Sequence, residues 1–281
     1  MPKTRLDQRV HALGLTESRE QARRLIMAGE VLVDGQRVDR PAARVDEAAE
    51  IALKAKPRFV SRGGEKLEAA LAHFQINVAG RACADVGAST GGFTDCLLQR
   101  GAARVFAIDV GRGILDYRLR TDPRVTVLEG TNARHLERLP EPVSFVSIDA
   151  AFISLKLLLP VVKGWASPPA PLPPPPSPIG GGEGGEVVAL IKPQFEAGRQ
   201  DVGRGAGVIR DPRIHRRVLA EVLGFAAQAG YQVRGLLRSP LLGPKGNAEF
   251  LAWLAVGAGA SPAERKLDSL IDAALAQPAG L

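Results

Sequence analysis

Residues 82–97 constrain this chain more than any other stretch. Ala82 to Val86 is a short apolar run, the pattern of a buried strand. It carries Asp85 and opens into Gly87, Ala88, Ser89, Thr90, Gly91 and Gly92, after which Phe93, Leu97 and Leu98 mark one face of a helix. A strand, a turn of small residues and a helix is how an α/β sheet offers backbone N–H groups to a ligand. Three ligand chemistries suit the turn. A dinucleotide would read Gly87-x-Ser89-x-x-Gly92 as a degraded G-x-G-x-x-G, with the Asp85 carboxylate set beside a pyrophosphate. An acyl group would use Gly87-x-Ser89-x-Gly91 as a nucleophile elbow, with Asp149 and His215 following in the right order but without supporting motifs. S-adenosylmethionine has a cationic amino group and a cationic sulfonium, which makes Asp85 an asset, and the stretch favours it of the three. A merely structural turn accounts less well for three glycines in six residues.

With 281 residues, 45% of them apolar, the chain can fill one large domain and one small one. A net charge of +7 points to an acidic partner such as nucleic acid, although a soluble basic protein is the plainer account. Cys83 and Cys96 read as small core residues, not a disulfide framework, and the four scattered histidines have no metal-ligand spacing. No run is long enough to span a membrane and the N-terminus lacks a signal-peptide pattern, so a cytoplasmic, metal-free protein is expected.

Residues 1–60 form a unit of their own, with twelve Lys and Arg against nine Asp and Glu. Leu6, Val10 and Leu13 share one helical face, and Gly14 stops that helix. Thr16 or Ser18 caps a second helix with Ala22, Leu25 and Ile26 inward, and Gly29 ends it. Val31 to Val38 is a hairpin about Asp34-Gly35, and a last strand is expected near Ile51–Leu53. Arg5, Arg9, Arg19, Arg23 and Arg24 recur along the two helices. The segment resembles the small α-L RNA-binding domain shared by a small-subunit ribosomal protein, some pseudouridine synthases and tyrosyl-tRNA synthetases. The residues that carry the likeness are Arg5-Leu6-Asp7, Ser18-Arg19-x-x-Ala22 and Ile26-x-x-Gly29-x-Val31-x-Val33-Asp34-Gly35. The resemblance implies that these arginines bind structured RNA by shape and phosphate contact.

From residue 61 to 281 strands and helices alternate, the mark of a mostly parallel sheet covered on both faces. A basic connector holding Arg62 leads to a helix over Glu65–Phe74. Lys66 stands at its start and on its own reads as a surface lysine. Later strands are expected at Arg104–Val110, Val125–Leu128, Val143–Asp149, Glu186–Ile191, Tyr231–Leu237 and Glu249–Val256, the last antiparallel between neighbours. Asp85, Asp109, Asp149 and Lys192 all fall at strand ends, where such sheets do their ligand chemistry. Asp109 suits ribose hydroxyls, and Asn132 with Ala133, after the third strand, suits an adenine edge. Residues 167–185 are proline-rich and then glycine-rich, the composition of a surface insertion. Residues 192–217 carry seven Lys and Arg against three acids, and their glycines suggest a mobile loop before a helix near Asp211-Pro212. Without G-x-x-x-x-G-K-[ST] it is no P-loop. A terminal helix is expected over 263–276, with Leu267, Leu270, Ile271 and Leu275 inward.

From Arg5 to about Leu254 the chain resembles the TlyA-type (haemolysin A-like) ribosomal RNA 2′-O-methyltransferases. The motifs are Val60-Ser61-Arg62-Gly63-Gly64-Glu65-Lys66-Leu67, Asp85 through Asp95, Ala107-Ile108-Asp109-Val110-Gly111, Ser147-Ile148-Asp149, Leu190 through Glu196, and Gly246-Asn247-x-Glu249-Phe250. The resemblance implies a Rossmann-like class I methyltransferase sheet behind the small RNA-binding domain. It also implies S-adenosylmethionine held by Asp85, Gly87, Ser89, Thr90, Gly91, Gly92, Phe93, Asp109, Val110, Asn132, Ala133 and Asp149. The Lys-Asp-Lys-Glu tetrad of the wider heat-shock-type ribose methyltransferases becomes Lys66, Asp149, Lys192 and Glu249. The substrate implied is ribosomal RNA or a ribosomal subunit, bound by a monomer, with Arg62 among the RNA contacts. A ribose 2′-hydroxyl must lose its proton as it attacks. A lysine can take it if burial and a second cation disfavour its charged form. Lys192 is the expected base, Lys66 the neighbouring cation, Asp149 the residue that orients Lys192, and Glu249 the partner of Lys66 or of the ribose. Two rivals are a membrane-active cytolysin, which would need an amphipathic or spanning segment, and an RNA-binding module on an inactive methyltransferase fold.

Overall fold

The computed structural model describes residues 3–54, 57–166, 184–198, 201, 207–257 and 264–278. By its internal contacts the chain divides into two units, Met1–Pro57 and Arg58–Leu281. In the first, Leu6 and Val10 lie one helical turn apart on α1 (Leu6–Ala12), and Ala22 and Ile26 do the same on α2 (Arg19–Met27). With Val31 and Val45 they form its core. Ser18 caps α2 by accepting the Gln21 N–H. Leu13, expected inward, is 43% exposed, because α1 has already ended and Gly14 turns the chain at a φ of +70°. The hairpin pairs β2 (Val31–Val33) with β3 (Gln36–Arg37). Its turn residues Asp34 and Gly35 both have positive φ, the mirror-image turn that matches strand twist. Strand β5 (Ile51–Leu53) completes that sheet. A second ladder, β1 (Lys3–Arg5) against β4 (Arg44–Asp46), was not expected; three-residue strands carrying Arg and Asp leave no alternating pattern to read.

The second unit is built on a seven-stranded sheet. Its strands are β6 (Ala82–Val86), β7 (Arg104–Asp109), β8 (Val125–Glu129), β9 (Phe145–Ile148), β10 (Glu186–Ile191), β11 (Tyr231–Arg238) and β12 (Phe250–Val256), in the order β11-β12-β10-β9-β6-β7-β8. All neighbours are parallel except β12, which runs antiparallel between β10 and β11. The central strands are buried on both faces. Val187, Ala189 and Ile191 join one core while Val188 and Leu190 join the other, so the strand reads as a continuous apolar run. The first core is closed by α6 (Leu155–Trp165), α8 (Pro212–Gln228) and α9 (Glu264–Ala276), the second by α3 (Gly63–His73), α4 (Gly92–Gln99) and the short α5 (Tyr117–Arg120). In α9 Ile271 and Ala274 are fully buried, and Leu267, Leu270 and Leu275 pack at its edge. Both cysteines are buried free thiols, pushed up by burial and so unreactive. Residues 167–183 of the expected insertion and 199–200 and 202–206 of the glycine-rich loop lie outside the described residues.

Candidate active site

Strands β6, β7, β9 and β10 end on one rim, and there the chain assembles two kinds of geometry. The first is the turn after β6. Asp109, the last residue of β7, accepts the Ser89 N–H through Oδ2 and the Gly111 N–H through Oδ1, each at 2.7 Å. It thus ties the β6 turn to the β7 turn. Ser89 has a φ of 50° and, like Thr90, is exposed. Val110, just past β7, is 70% exposed, an apolar side chain standing open beside Asp109. Asn132 is also exposed and caps the short helical turn Ala133–His135 by accepting the Arg134 N–H. Ala133 is buried, so only its backbone can reach a ligand.

Five residues assigned to the cofactor are spent on the protein itself. Phe93 is buried in the second core. Gly92 is small because α3 crosses it: a Cβ there would stand 2.3 Å from Ser61 Oγ and 2.9 Å from the Gly64 nitrogen. Asp85 is fully buried beneath the turn, where it accepts the Thr94 hydroxyl at 2.7 Å and the Ser147 hydroxyl at 3.1 Å. Burial pushes its carboxyl up to about 7, the two hydroxyls pull it down, and the charge of Asp149 adds to the rise. Asp85 therefore supports the turn from below instead of lining it. Gly87 and Gly91 follow the same logic: a Cβ on Gly87 would meet the Asp149 carbonyl oxygen at 2.6 Å, and Gly91 sits against Leu119 and Leu115. What remains for a ligand is the turn's backbone, the N-terminus of α4, Asp109, Val110 and Asn132.

The second geometry is a pair of ion pairs. Lys192 follows β10 directly and its Nζ lies 2.5 Å from Asp149 Oδ1, at the end of β9. The contact is close but not aligned as a hydrogen bond, so this buried oxygen keeps its capacity to accept. Lys66, on the first turn of α3, donates to Glu249 Oε2 at 2.6 Å. It is only 8% exposed, not the surface lysine its local sequence implies. Two registers bring these residues together. Ala189 on β10 pairs with Ile148 on β9, and Ile191 pairs with Phe250 on antiparallel β12. Lys192 thus leaves the sheet between the strand end that carries Asp149 and the strand start that follows Glu249. Beside them stands an aromatic pair the sequence reading missed. Phe152 is 90% exposed at a φ of 62°, and its ring lies 4.9 Å from that of Phe195. Phe195 in turn lies 5.8 Å from the Lys192 Nζ. Aromatics make up 5% of the chain, so an aromatic in a loop straight after a strand end was the available signal.

The acyl-transfer reading fails on geometry. Asp149 faces Lys192, and buried His215 directs Nε2 to the Ile209 carbonyl oxygen at 3.1 Å, so no relay reaches Ser89. Among the described residues no group of three or more metal-ligating side chains gathers, and no helix is long and apolar enough to cross a membrane.

In the first unit Asp7 is fully buried and accepts both Arg5, through Nε and Nη2 at 3.0 and 3.1 Å, and Arg19, through Nε at 3.1 Å. Burial raises its carboxyl, and the two guanidinium groups more than reverse this and hold it low. Arg9 donates to the Glu47 carbonyl oxygen at 2.7 Å. Arg23 and Arg24 are exposed on α2, as is Arg62 at the head of α3 in the second unit.

The strand order, the single antiparallel strand and a glycine turn at the end of the first strand of the sheet define a Rossmann-like methyltransferase. The chain belongs to the FtsJ-like methyltransferase family, which it matches over residues 59–256, and within it to the TlyA type; residues 4–51 match the S4 domain. It is 42% identical to the 16S/23S rRNA (cytidine-2′-O)-methyltransferase TlyA of Mycobacterium tuberculosis, over 98% of each chain. It is 38% identical to hemolysin A of Brachyspira hyodysenteriae, over 88% of this chain and 98% of the other. A solved Streptococcus thermophilus protein, provisionally named a hemolysin, superposes with a TM-score of 0.69 at 42% identity, covering 98% of this chain and 96% of that one.

Proposed function

We propose that this chain transfers a methyl group from S-adenosylmethionine to a ribose 2′-hydroxyl of ribosomal RNA. The observation that carries the reading is the convergence of Lys66, Asp149, Lys192 and Glu249, from one helix and three strands, into two ion pairs on the rim. S-adenosylmethionine, when bound, supplies an electrophilic methyl on a cationic sulfur. The residues present fit it. The open turn after β6 offers amides and a helix N-terminus to its carboxylate. Asp109 retains lone pairs for the ribose hydroxyls. The exposed Val110 offers an apolar wall to the adenine. The Asp149 carboxylate stands at the same rim, toward a cation.

Lys192 is the base in this reading. In its neutral amine form its Nζ takes the proton of the 2′-hydroxyl, and Asp149 fixes where that nitrogen stands. Lys66, neutralised by Glu249, orders the ribose. Holding the hydroxyl oxygen in line with the methyl supplies most of the acceleration, of order 7–11 kcal/mol at best. The exposed Phe152 ring offers a flat face to the target base. Capture of the RNA falls to the S4 domain. Asp7 holds Arg5 and Arg19 in fixed forks, while Arg23 and Arg24 stand open to phosphate. A ribosomal substrate places the work in the cytoplasm. The retention of both ion pairs at the rim is what an inactive RNA-binding module would have no use for.

The test is single-turnover transfer of labelled methyl to purified ribosomal subunits, with the products mapped nucleotide by nucleotide. Label at discrete ribose 2′-oxygens is expected. Label on bases, or none at all with S-adenosylmethionine bound, would overturn the reading.

A further inference from the structure

Beyond the ends of β9 and β10, the chain continues as two rim segments joined by side chains. Three rungs connect them. Asp149 meets Lys192, Phe152 meets Phe195, and the Glu196 carboxylate accepts both the Ser154 hydroxyl and the Leu155 N–H, each at 2.7 Å. The first two rungs include Lys192 and Phe152, groups that the methyl-transfer reading also engages with the substrate. The third has no part in that reading. Its two bonds span 42 and 41 residues of sequence and are partly buried. It also places a carboxylate on the N-terminus of α6, where the helix dipole favours negative charge.

The segment that this rung holds is under tension. Phe152 is a non-glycine residue in the left-handed region, a conformation costing of order 1 kcal/mol or more that persists only when its surroundings enforce it. The opposing segment is stiff. Pro193 opens the single turn α7 (Pro193–Glu196) directly after Lys192, which fixes the path from the lysine to the glutamate. Glu196 is thus a rigid arm, three residues beyond Pro193, that grips the far end of a strained loop.

We infer that Glu196 is a positioning residue for methyl transfer, holding the loop of Asp149 and Phe152 in register with the turn of Lys192 and Phe195. The inference rests on the methyl-transfer reading for its effect on rate, but not for the contact itself.

Two variants of the full chain test it, Glu196→Ala and Glu196→Gln. With Ala, the single-turnover rate on ribosomal subunits should fall, to about 10²-fold if the rim groups shift by 1 Å. S-adenosylmethionine affinity should stay at the wild-type value. Gln keeps an acceptor for the Leu155 N–H and can donate to the Ser154 oxygen, so it should restore most of the rate. Amide hydrogen exchange gives a readout independent of activity. Exchange at 150–155 and at 194–196 should quicken together in the Ala variant, while Gly87 to Phe93 stays as in wild type. If wild-type protein transfers no methyl, the functional reading fails and exchange still decides whether Glu196 joins the two segments. A wild-type rate in the Ala variant, no recovery with Gln, or faster exchange confined to α6 would each overturn the inference. Should the Ala variant not fold, Ser154→Ala removes one of the two bonds, and a several-fold loss of rate with unchanged cofactor affinity is then the supporting outcome.

Discussion

On the β6–β7 side of the rim, Asp109 accepts the Ser89 and Gly111 amides at 2.7 Å each. On the β9–β10–β12 side, Lys192 and Lys66 meet Asp149 and Glu249 at 2.5 and 2.6 Å. The first side is backbone held by a carboxylate and is written in consecutive residues. The second is side-chain charge drawn from one helix and three strands, with Lys66 and Glu249 183 residues apart. A backbone cradle suits a ligand that must be held the same way each time. A lysine amine held in place by a carboxylate suits a step in which a proton changes place. The contrast predicts that substitutions on the two sides will separate binding from turnover.

Lys192→Arg should show the largest effect. Arginine keeps the charge and can keep the contact to Asp149, but it cannot give up a proton near neutral pH. A folded variant that binds cofactor and RNA should transfer methyl roughly 10³-fold more slowly in single turnover, the scale of a lost general base. Near-normal transfer would remove Lys192 from that role and with it the sharpest difference between the two sides.

Glu249→Gln comes next and divides the second side from within. Glu249 is almost wholly buried, so the variant leaves the Lys66 ammonium without its counter-charge, at a cost of about 3–5 kcal/mol. The Lys192–Asp149 pair is more open, with the Asp149 side chain 22% exposed, and Asp149→Asn should destabilise less. Chemical denaturation of both variants checks the order; a larger loss for Asp149→Asn would show that burial is not what separates the pairs.

Asp109→Ala belongs to the first side. It removes a carboxylate that organises two turns and offers lone pairs to ribose. Calorimetry should show cofactor affinity lowered by about 10-fold or somewhat more, the scale of one charged hydrogen bond. RNA binding should not change. Unaltered cofactor affinity would refute the ribose assignment.

Asp85→Asn should have the smallest effect on binding and turnover, and shows instead as a slope of stability against pH. The folded carboxyl stays protonated up to about pH 7, while the unfolded one ionises near 3.8. Folding therefore takes up a proton between those values, and this group's contribution to stability falls as pH rises through the window. Below 3.8 both states are protonated, and above about 7 both are ionised. The stability of wild type relative to Asp85→Asn should decline by up to about 1.4 kcal/mol per pH unit inside the window and be flat outside it. A flat difference throughout would mean that Asp85 is ionised in the fold.

The strands of the sheet were legible because β6, β7, β9 and β10 are buried on both faces and read as apolar runs. Even the antiparallel β12 was expected between its neighbours. Lys66 was not legible. One turn of α3 supplies it, and nothing within that turn shows that Glu249 will close over it. Phe152 was passed over because an exposed aromatic in a loop has no periodicity. The glycines after β6 were noticed for a ligand's sake, yet Gly87 and Gly92 are small because Asp149 and α3 press on them. Local composition reports that a close approach occurs there and not what approaches.

The sequence by itself determined the layout: a short arginine-bearing unit, then an alternating α/β chain with acids and a lysine at its strand ends. Those are local properties, set by periodicity, turn residues and the termination of apolar runs. Tertiary structure alone decided that Asp85 is buried support, that Asp109 binds two turns together, that Asp7 gathers two arginines, and that four charges meet as two pairs. Such assignments depend on sheet register and on which helix lies over which strand. A residue's charge, solvation and reach are settled by neighbours far away in the chain, and no stretch of consecutive residues contains them.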